Sequence, residues 1–272
     1  MTTAARPAPR AAKRSEGRDF TLFLVKLLLV TLIVRSFLVT LFFIPSESMQ
    51  PRLLVGDFLI AAKWPYGYSR WSLPYGIPLF QGRIFGAVPD RGDVVIFRAP
   101  PDQSQDYIKR VIGLPGDRVQ MRAGIVWLNG EPIARQRVAD FVERPGVDER
   151  CAAPEFVEAG PAGERLCRYP RYRETLPGGR SFETLDIGAT QADDTQVYTV
   201  PAGHLFLMGD NRDRSADSRF EPRPGGGIGF VPLDNLVGEA MLTVFSTDGS
   251  AEWYNPVSWF RAARPERIGE RF

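Results

Sequence analysis

Histidine is almost missing: the chain has one in 272 residues, and only two cysteines. A serine hydrolase usually rests on a histidine, so nucleophilic chemistry here needs that single residue or another base. The cysteines, Cys151 and Cys167, are too few for a disulfide scaffold and lack metal-site spacing. An excess of either charge is missing too. The 34 basic and 32 acidic residues leave a net +2, which excludes a general attraction to nucleic acid. No internal repeat occurs, and no helix–strand alternation of the βαβ kind. What is plentiful is Gly (26) and Pro (23), the composition of a turn-rich β protein. The length allows one large domain or two small ones, with a sizeable core.

Residues 1–19 are polar, with Arg6, Arg10, Lys13, Arg14 and Arg18 against Glu16 and Asp19, a composition that predicts disorder. Residues 20–44 are apolar apart from Lys26, Arg35 and a few small polar side chains. A helix of about 20 residues spans the hydrocarbon core of a bilayer, and the uninterrupted part, 27–44, only just reaches that length. Arg35 in mid-span costs about 2.5–3.5 kcal/mol on the insertion scale, which the many Leu, Val, Ile and Phe residues offset. Lys26 snorkels to the interface from near the start. A cleaved signal peptide would have a shorter apolar core and then an Ala-x-Ala-like site, where this chain has Phe42-Phe43-Ile44-Pro45. The segment is therefore expected to be an uncleaved, single-pass anchor. Its basic flank comes first, which puts 1–19 in the cytoplasm and everything after about residue 44 outside. In that oxidising compartment a Cys151–Cys167 bridge is expected; in a cytosol both would stay thiols.

Beyond Pro45 the pattern turns to strands. Residues 53–61 predict a strand, a Gly56-Asp57 turn and a second strand, and Gly92-Asp93-Val94-Val95-Ile96-Phe97 predicts a buried one. Residues 107–114 form another, ended by Pro115-Gly116-Asp117. Segments 117–120 and 124–128 with Asn129-Gly130 predict a meander of hairpins. The expected domain is mostly β and covers 45–254, with an inserted peripheral lobe at about 131–196 that contains both cysteines. Residues 64–90 are dense in aromatics, which suits either a membrane headgroup layer or a local mini-core. The tail, 255–272, sets Trp259 and Phe260 beside Arg261, Arg264 and Arg267, which suits either a short membrane-surface helix or local packing.

Three segments carry chemistry. Directly after the apolar run comes Pro45-Ser46-Glu47-Ser48-Met49-Gln50-Pro51. If this is extended, Ser46 and Ser48 share a face and Glu47 points away. Ser48 is then a candidate nucleophile, with the Ser46 hydroxyl and the Ser48 backbone N–H as donors to an oxyanion. Alone, such a run is an ordinary juxtamembrane turn. Lys109 changes that, because it lies in the apolar strand Asp106-Tyr107-Ile108-Lys109-Arg110-Val111-Ile112-Gly113. Its ordinary pKa, about 10.4, makes it a poor base at neutral pH. Burial lowers that value and makes the amine able to take a serine proton, unless the side chain escapes to solvent. The third segment, Gly209-Asp210-Asn211-Arg212-Asp213-Arg214-Ser215-Ala216-Asp217-Ser218-Arg219, is a polar loop leaving an apolar strand. It lacks the glycine of a calcium loop and its three arginines would repel a cation, so no metal is expected. Its better use is support: Ser215 to orient the lysine amine, Asp217 and Arg219 to fix the loop.

Together, in this order and after an anchor, these blocks resemble bacterial signal peptidase I, across the anchor and most of 42–245. Gly56-Asp57, Arg91-Gly92-Asp93-Val94-Val95 and Gly113-Leu114-Pro115-Gly116-Asp117 belong to the same set of motifs. The resemblance implies a mostly β fold around a large antiparallel sheet. It implies Ser48 as nucleophile, Lys109 as general base, Ser46 in the oxyanion hole, Ser215 beside the lysine, and Asp217 with Arg219 as supports. It also implies pockets for small residues lined by Ile44, Leu53, Leu59, Ile96 and Ile108, a substrate class of signal peptides of exported preproteins, a place in the bacterial inner membrane beside the export machinery, and no metal or cofactor. The chain departs from the pattern in having one N-terminal span where many members have two, and Glu47 where a small residue is frequent. Maturation peptidases of conjugation systems share the chemistry. Self-cleaving repressors would need a DNA-binding domain where this chain has its anchor. A domain that binds exported peptides without cutting them would have no need of Ser48, Lys109 and Ser215 together.

Overall fold

The structure, a computed structural model, describes residues 16–145, 150–252 and 254–272. Most of the expected basic tail, 1–19, lies outside the described residues. The apolar run begins as helix α1 (Glu16–Ile33), continues through a wider helical turn, Val34–Leu38, and then becomes strand β1 (Val39–Phe43). Gly17–Leu38, 22 residues, is long and apolar enough to cross a membrane. Within the segment 20–44, expected as an anchor, the helix therefore ends at Leu38. Beyond it, the β-branched pair Val39-Thr40 and the rings of Phe42 and Phe43 favour a pleated surface. They pair with β2 (Asp57–Ala62) from Val39↔Ala62 to Phe43↔Phe58.

The chain then forms β3 (Val94–Arg98), β4 (Asp106–Gly113) and a meander of β5 (Arg118–Arg122), β6 (Ile125–Leu128) and β7 (Glu131–Pro132). The tight turn before β7 uses Asn129 and Gly130, both at positive φ (56° and 94°), the geometry that a two-residue hairpin with native twist demands. Strands β8 (Ala134–Arg137), β9 (Phe141–Glu143), β10 (Val157–Ala159), β11 (Arg165–Tyr169), β12 (Arg171–Thr175) and β13 (Ser181–Leu185) form the lobe as two small sheets. After β14 (Tyr198–Thr199) rejoins the meander, β15 (His204–Met208), β16 (Val231–Pro232) and β17 (Leu236–Ser246) complete the main sheet. That sheet has the order β1-β2-β17-β3-β4-β15-β16, antiparallel throughout. The fold is mostly β, as expected, with a larger sheet and a smaller inserted lobe.

Within the lobe Cys151 and Cys167 form a disulfide, packed with Tyr169, Leu185 and Phe156. Two local expectations change. Residues 53–55 make no strand; the Leu53 N–H donates to the Met49 carbonyl (2.9 Å) and its side chain is wholly buried, so the segment is a turn anchored in the core. The aromatics of 64–90 divide: Tyr66 is buried and Trp71 packs on the core, while Tyr75 and Phe85 are bare at 97% and 84% exposure.

The tail folds back as helix α2 (Pro256–Ala262) and a short turn. Trp259 stacks on Phe245 with centroids 6.2 Å apart. Arg264 and Arg267 turn inward, so their charges are not presented to a membrane. Arg267 donates twice to the wholly buried Asp57 (3.0 and 2.6 Å), which also accepts from Ser246 Oγ (2.6 Å). Gly56, at φ +91°, enables this approach: a Cβ there would lie 1.9 Å from the Thr247 carbonyl oxygen. Removing one partner of a buried pair strands the other. Asp57→Ala is expected to lower the unfolding free energy by about 3–5 kcal/mol, read as a lower urea midpoint; an unchanged midpoint would contradict this role.

Candidate active site

Pro45 follows β1, and Ser46 keeps extended backbone (φ −136°, ψ 156°) before Glu47–Met49 closes one tight helical turn. Met49, fully buried, is the anchor of that turn, and it leaves its neighbour Ser48 nearly covered at the base of a cleft. Ser46 and Ser48 do lie close, Oγ to Oγ 3.4 Å, but the turn brings them together and not an extended strand. Glu47 points outward to an ion pair with Arg214.

Lys109 lies on β4 opposite Val95 of β3. On the other side, β15 reaches only as far as Met208↔Arg110, so the stretch of β4 before Lys109 has an open edge. The Lys109 side chain is buried, and its Nζ donates to Ser48 Oγ at 2.7 Å and to the Ile108 carbonyl at 3.0 Å. Burial is the main influence on the amine and lowers its pKa; Asp217 and Asp210 pull the other way, Arg219 pushes down again, and the result is about 8. Once neutral, the same contact can run in reverse, with the hydroxyl donating to the amine.

The polar loop after β15 surrounds this pair. Its Asn211 N–H donates to the Ser48 carbonyl (3.1 Å). Asp217 and Arg219, both fully buried, bond through two contacts of 2.9 Å, and Asp217 also accepts the Gly209 N–H (3.1 Å). Burial alone would raise the Asp217 carboxyl; Arg219 and these hydrogen bonds hold it below the usual carboxylate range. The expected Ser215–Lys109 hydrogen bond is not made. Ser215 Oγ is buried, packed against Gly209, and has no hydrogen-bond partner among the described residues. Of the five expected pocket residues, Ile44, Ile96 and Ile108 line the cleft, whose volume is about 350 Å3. Leu53 and Leu59 do not; they are wholly buried beneath it, in the same apolar cluster as Ile44 and Ile96.

Several supporting residues had no expected role. Arg110, next to Lys109, makes a buried two-pronged pair with Asp210 (2.7 and 2.5 Å), donates to the Gly92 carbonyl (2.7 Å) and lies over the Phe182 ring. Glu174, from the lobe, pairs in complete burial with Arg212. The signal for Arg110 was present, since it shares the apolar strand that marked Lys109. Glu174 had none, because nothing local distinguishes it from the charged surface of its lobe.

A hydroxyl bonded to a desolvated amine, at the base of a cleft between two open strand edges, is the chemistry of a serine peptidase. The family model for signal peptidase, peptidase S26, matches residues 17–245. Signal peptidase I of Rickettsia typhi (strain ATCC VR-144 / Wilmington) is 36% identical over 258 residues, 88% of this chain and 88% of the relative. That of Rickettsia rickettsii (strain Sheila Smith) is 37% identical over 227 residues, 80% of this chain and 76% of the relative. A crystal structure of a signal peptidase I from Enterococcus faecalis V583 is 27% identical and covers 56% of this chain and 97% of its own, with a TM-score of 0.29. The chain belongs to the signal peptidase family, peptidase S26.

Gly209 is a sharp test of the geometry. A Cβ there would lie 2.3 Å from Ser215 Oγ and 2.4 Å from the Ser48 carbonyl oxygen, so the residue carrying the hydroxyl has to move. Misplacement of about 1 Å costs roughly 100-fold in rate. Gly209→Ala is expected to lower kcat for peptide cleavage by at least about tenfold, and a wild-type kcat would show that Ser48 is less tightly held than this packing requires.

Proposed function

We propose that this protein is a membrane-anchored endopeptidase that removes signal peptides from exported preproteins, cutting after small-x-small sequences, with Ser48 as nucleophile and Lys109 as general base. The observation that carries this reading is the 2.7 Å contact between Lys109 Nζ and Ser48 Oγ in a buried site. Neutral Lys109 takes the Ser48 proton as Oγ attacks the scissile carbonyl. The Ser46 hydroxyl and the Ser48 N–H receive the developing oxyanion. Lys109 then gives its proton to the leaving amine, and a water that it deprotonates in turn releases the acyl-enzyme. Asp217 and Arg219 fix the loop around the pair, and Ser215, packed against Gly209, supports the lysine through its position and not through a hydrogen bond.

The substrate enters as an added strand against the open edges of β1 and of β4 before Lys109. Ile44, Ile96 and Ile108 leave room for small side chains: a larger one collides with them and a polar one is buried unpaired. The anchor is Gly17–Leu38, with its basic flank in the cytoplasm and the β domain outside a bacterial inner membrane. The Cys151–Cys167 disulfide supports an oxidising compartment. Sharing one bilayer with the substrate raises the effective concentration of a weakly bound peptide.

Purified enzyme incubated with a preprotein tests the dyad: Ser48→Ala and Lys109→Ala are each expected to abolish cleavage, and cleavage retained by either sinks the assignment. The pH profile is an independent check. With the Lys109 pKa at about 8, the neutral fraction saturates above that value and falls about tenfold per pH unit below it. The rate is expected to follow that fraction; a profile flat from about pH 9 to pH 5 contradicts a lysine base.

A further inference from the structure

Alongside the cleft lies a second concavity. It is an open groove of about 610 Å3 between α1 with its following turn and strands β1 and β2, lined by Val30, Val34, Arg35, Val39, Leu41 and Ile60 among others. Its walls are apolar and bare, with Val30 at 57% and Leu41 at 64% exposure. The groove and the cleft are consecutive along one strand: Val39–Leu41 line the first and Phe42–Ile44 the second. The outer edge of β1 has no partner strand among the described residues, so the two form one continuous track. Arg35 is the single charged residue in the groove's lining, and it has no ion-pair partner among the described residues.

An unpaired guanidinium in an apolar groove beside a membrane-length helix calls for an occupant that is apolar along its length and electron-rich at one end. The carboxyl end of an apolar helix has that character. Its last four carbonyls lack intrahelical partners and carry about half a negative charge. We infer that this groove receives the apolar helix of the substrate's signal segment, with Arg35 donating to the carbonyls at that helix's C-terminal end. The inference rests on the function proposed above and extends it from the cleavage site to the membrane-embedded part of the substrate. A bilayer lipid is the competing occupant, and it would make no distinction between substrates.

The test uses the full chain in phospholipid vesicles with two substrates: a preprotein with its complete apolar segment, and a decapeptide spanning only the cleavage site. Arg35→Gln and Leu41→Thr, a change that keeps a strand-forming residue, are each expected to reduce the preprotein-to-decapeptide ratio of kcat/KM at least fivefold, through KM for the preprotein. Arg35→Lys is expected to restore the ratio to within twofold of wild type. An unchanged ratio in Arg35→Gln and Leu41→Thr, whether both rates hold or both fall together, overturns the groove assignment and leaves lipid as its occupant. Wild-type enzyme that cuts neither substrate overturns the proposed function itself, and the inference with it.

Discussion

Removing an ammonium group from water is expensive, and proteins usually offset that cost with a carboxylate placed against it. Around Lys109 the carboxylates are present but already committed. Asp217 is held by Arg219 through two hydrogen bonds, and Asp210 by Arg110 in the same manner. Each pulls on the amine from a distance, and neither appears among its hydrogen-bond partners, which are a hydroxyl and a carbonyl. Desolvation therefore stays the largest influence, and the amine is brought to where it is neutral at mildly alkaline pH. The rest of the site depends on this withholding of a counter-ion.

That requirement explains why so many charges are buried nearby. Ion pairs such as Arg110–Asp210, Asp217–Arg219 and Glu174–Arg212 add little net stability compared with apolar packing of the same volume. What they provide is shape. They hold the loop 209–219 so that Asn211 meets the Ser48 carbonyl and Gly209 leaves the narrow space that Ser215 and Ser48 share. The inserted lobe takes part as well: Phe182 covers Arg110 and Glu174 holds Arg212, so the lobe buttresses the site.

Residues whose chemistry conflicts with their surroundings were legible from sequence. Lys109 was a cation in an apolar strand, Asp217 and Arg219 were opposite charges two apart, and Asn129-Gly130 had one good use. Residues whose role depends on distant partners were not. The resemblance puts Leu53 and Leu59 among the pocket walls, yet both are wholly buried in the apolar cluster beneath the cleft, a distinction that an apolar side chain does not advertise. Residues 39–43 read as more helix because hydrophobicity alone does not separate a membrane span from the edge strand that continues it. Arg264 and Arg267 read locally as part of a membrane-surface helix or a locally packed tail, whereas the partner that takes up Arg267 is Asp57, some 200 positions earlier in the chain.

The junction at Leu38 has a mechanical meaning. Helix passes into sheet with no linker: the Lys63 N–H donates to the Leu38 carbonyl (3.0 Å), the Tyr68 hydroxyl to that of Phe37 (3.0 Å), and β1 begins at the next residue. A tethered enzyme with a loose leash samples a hemisphere of positions. This one has no slack, so on the proposed membrane placement the height of Ser48 above the bilayer is set by rigid geometry.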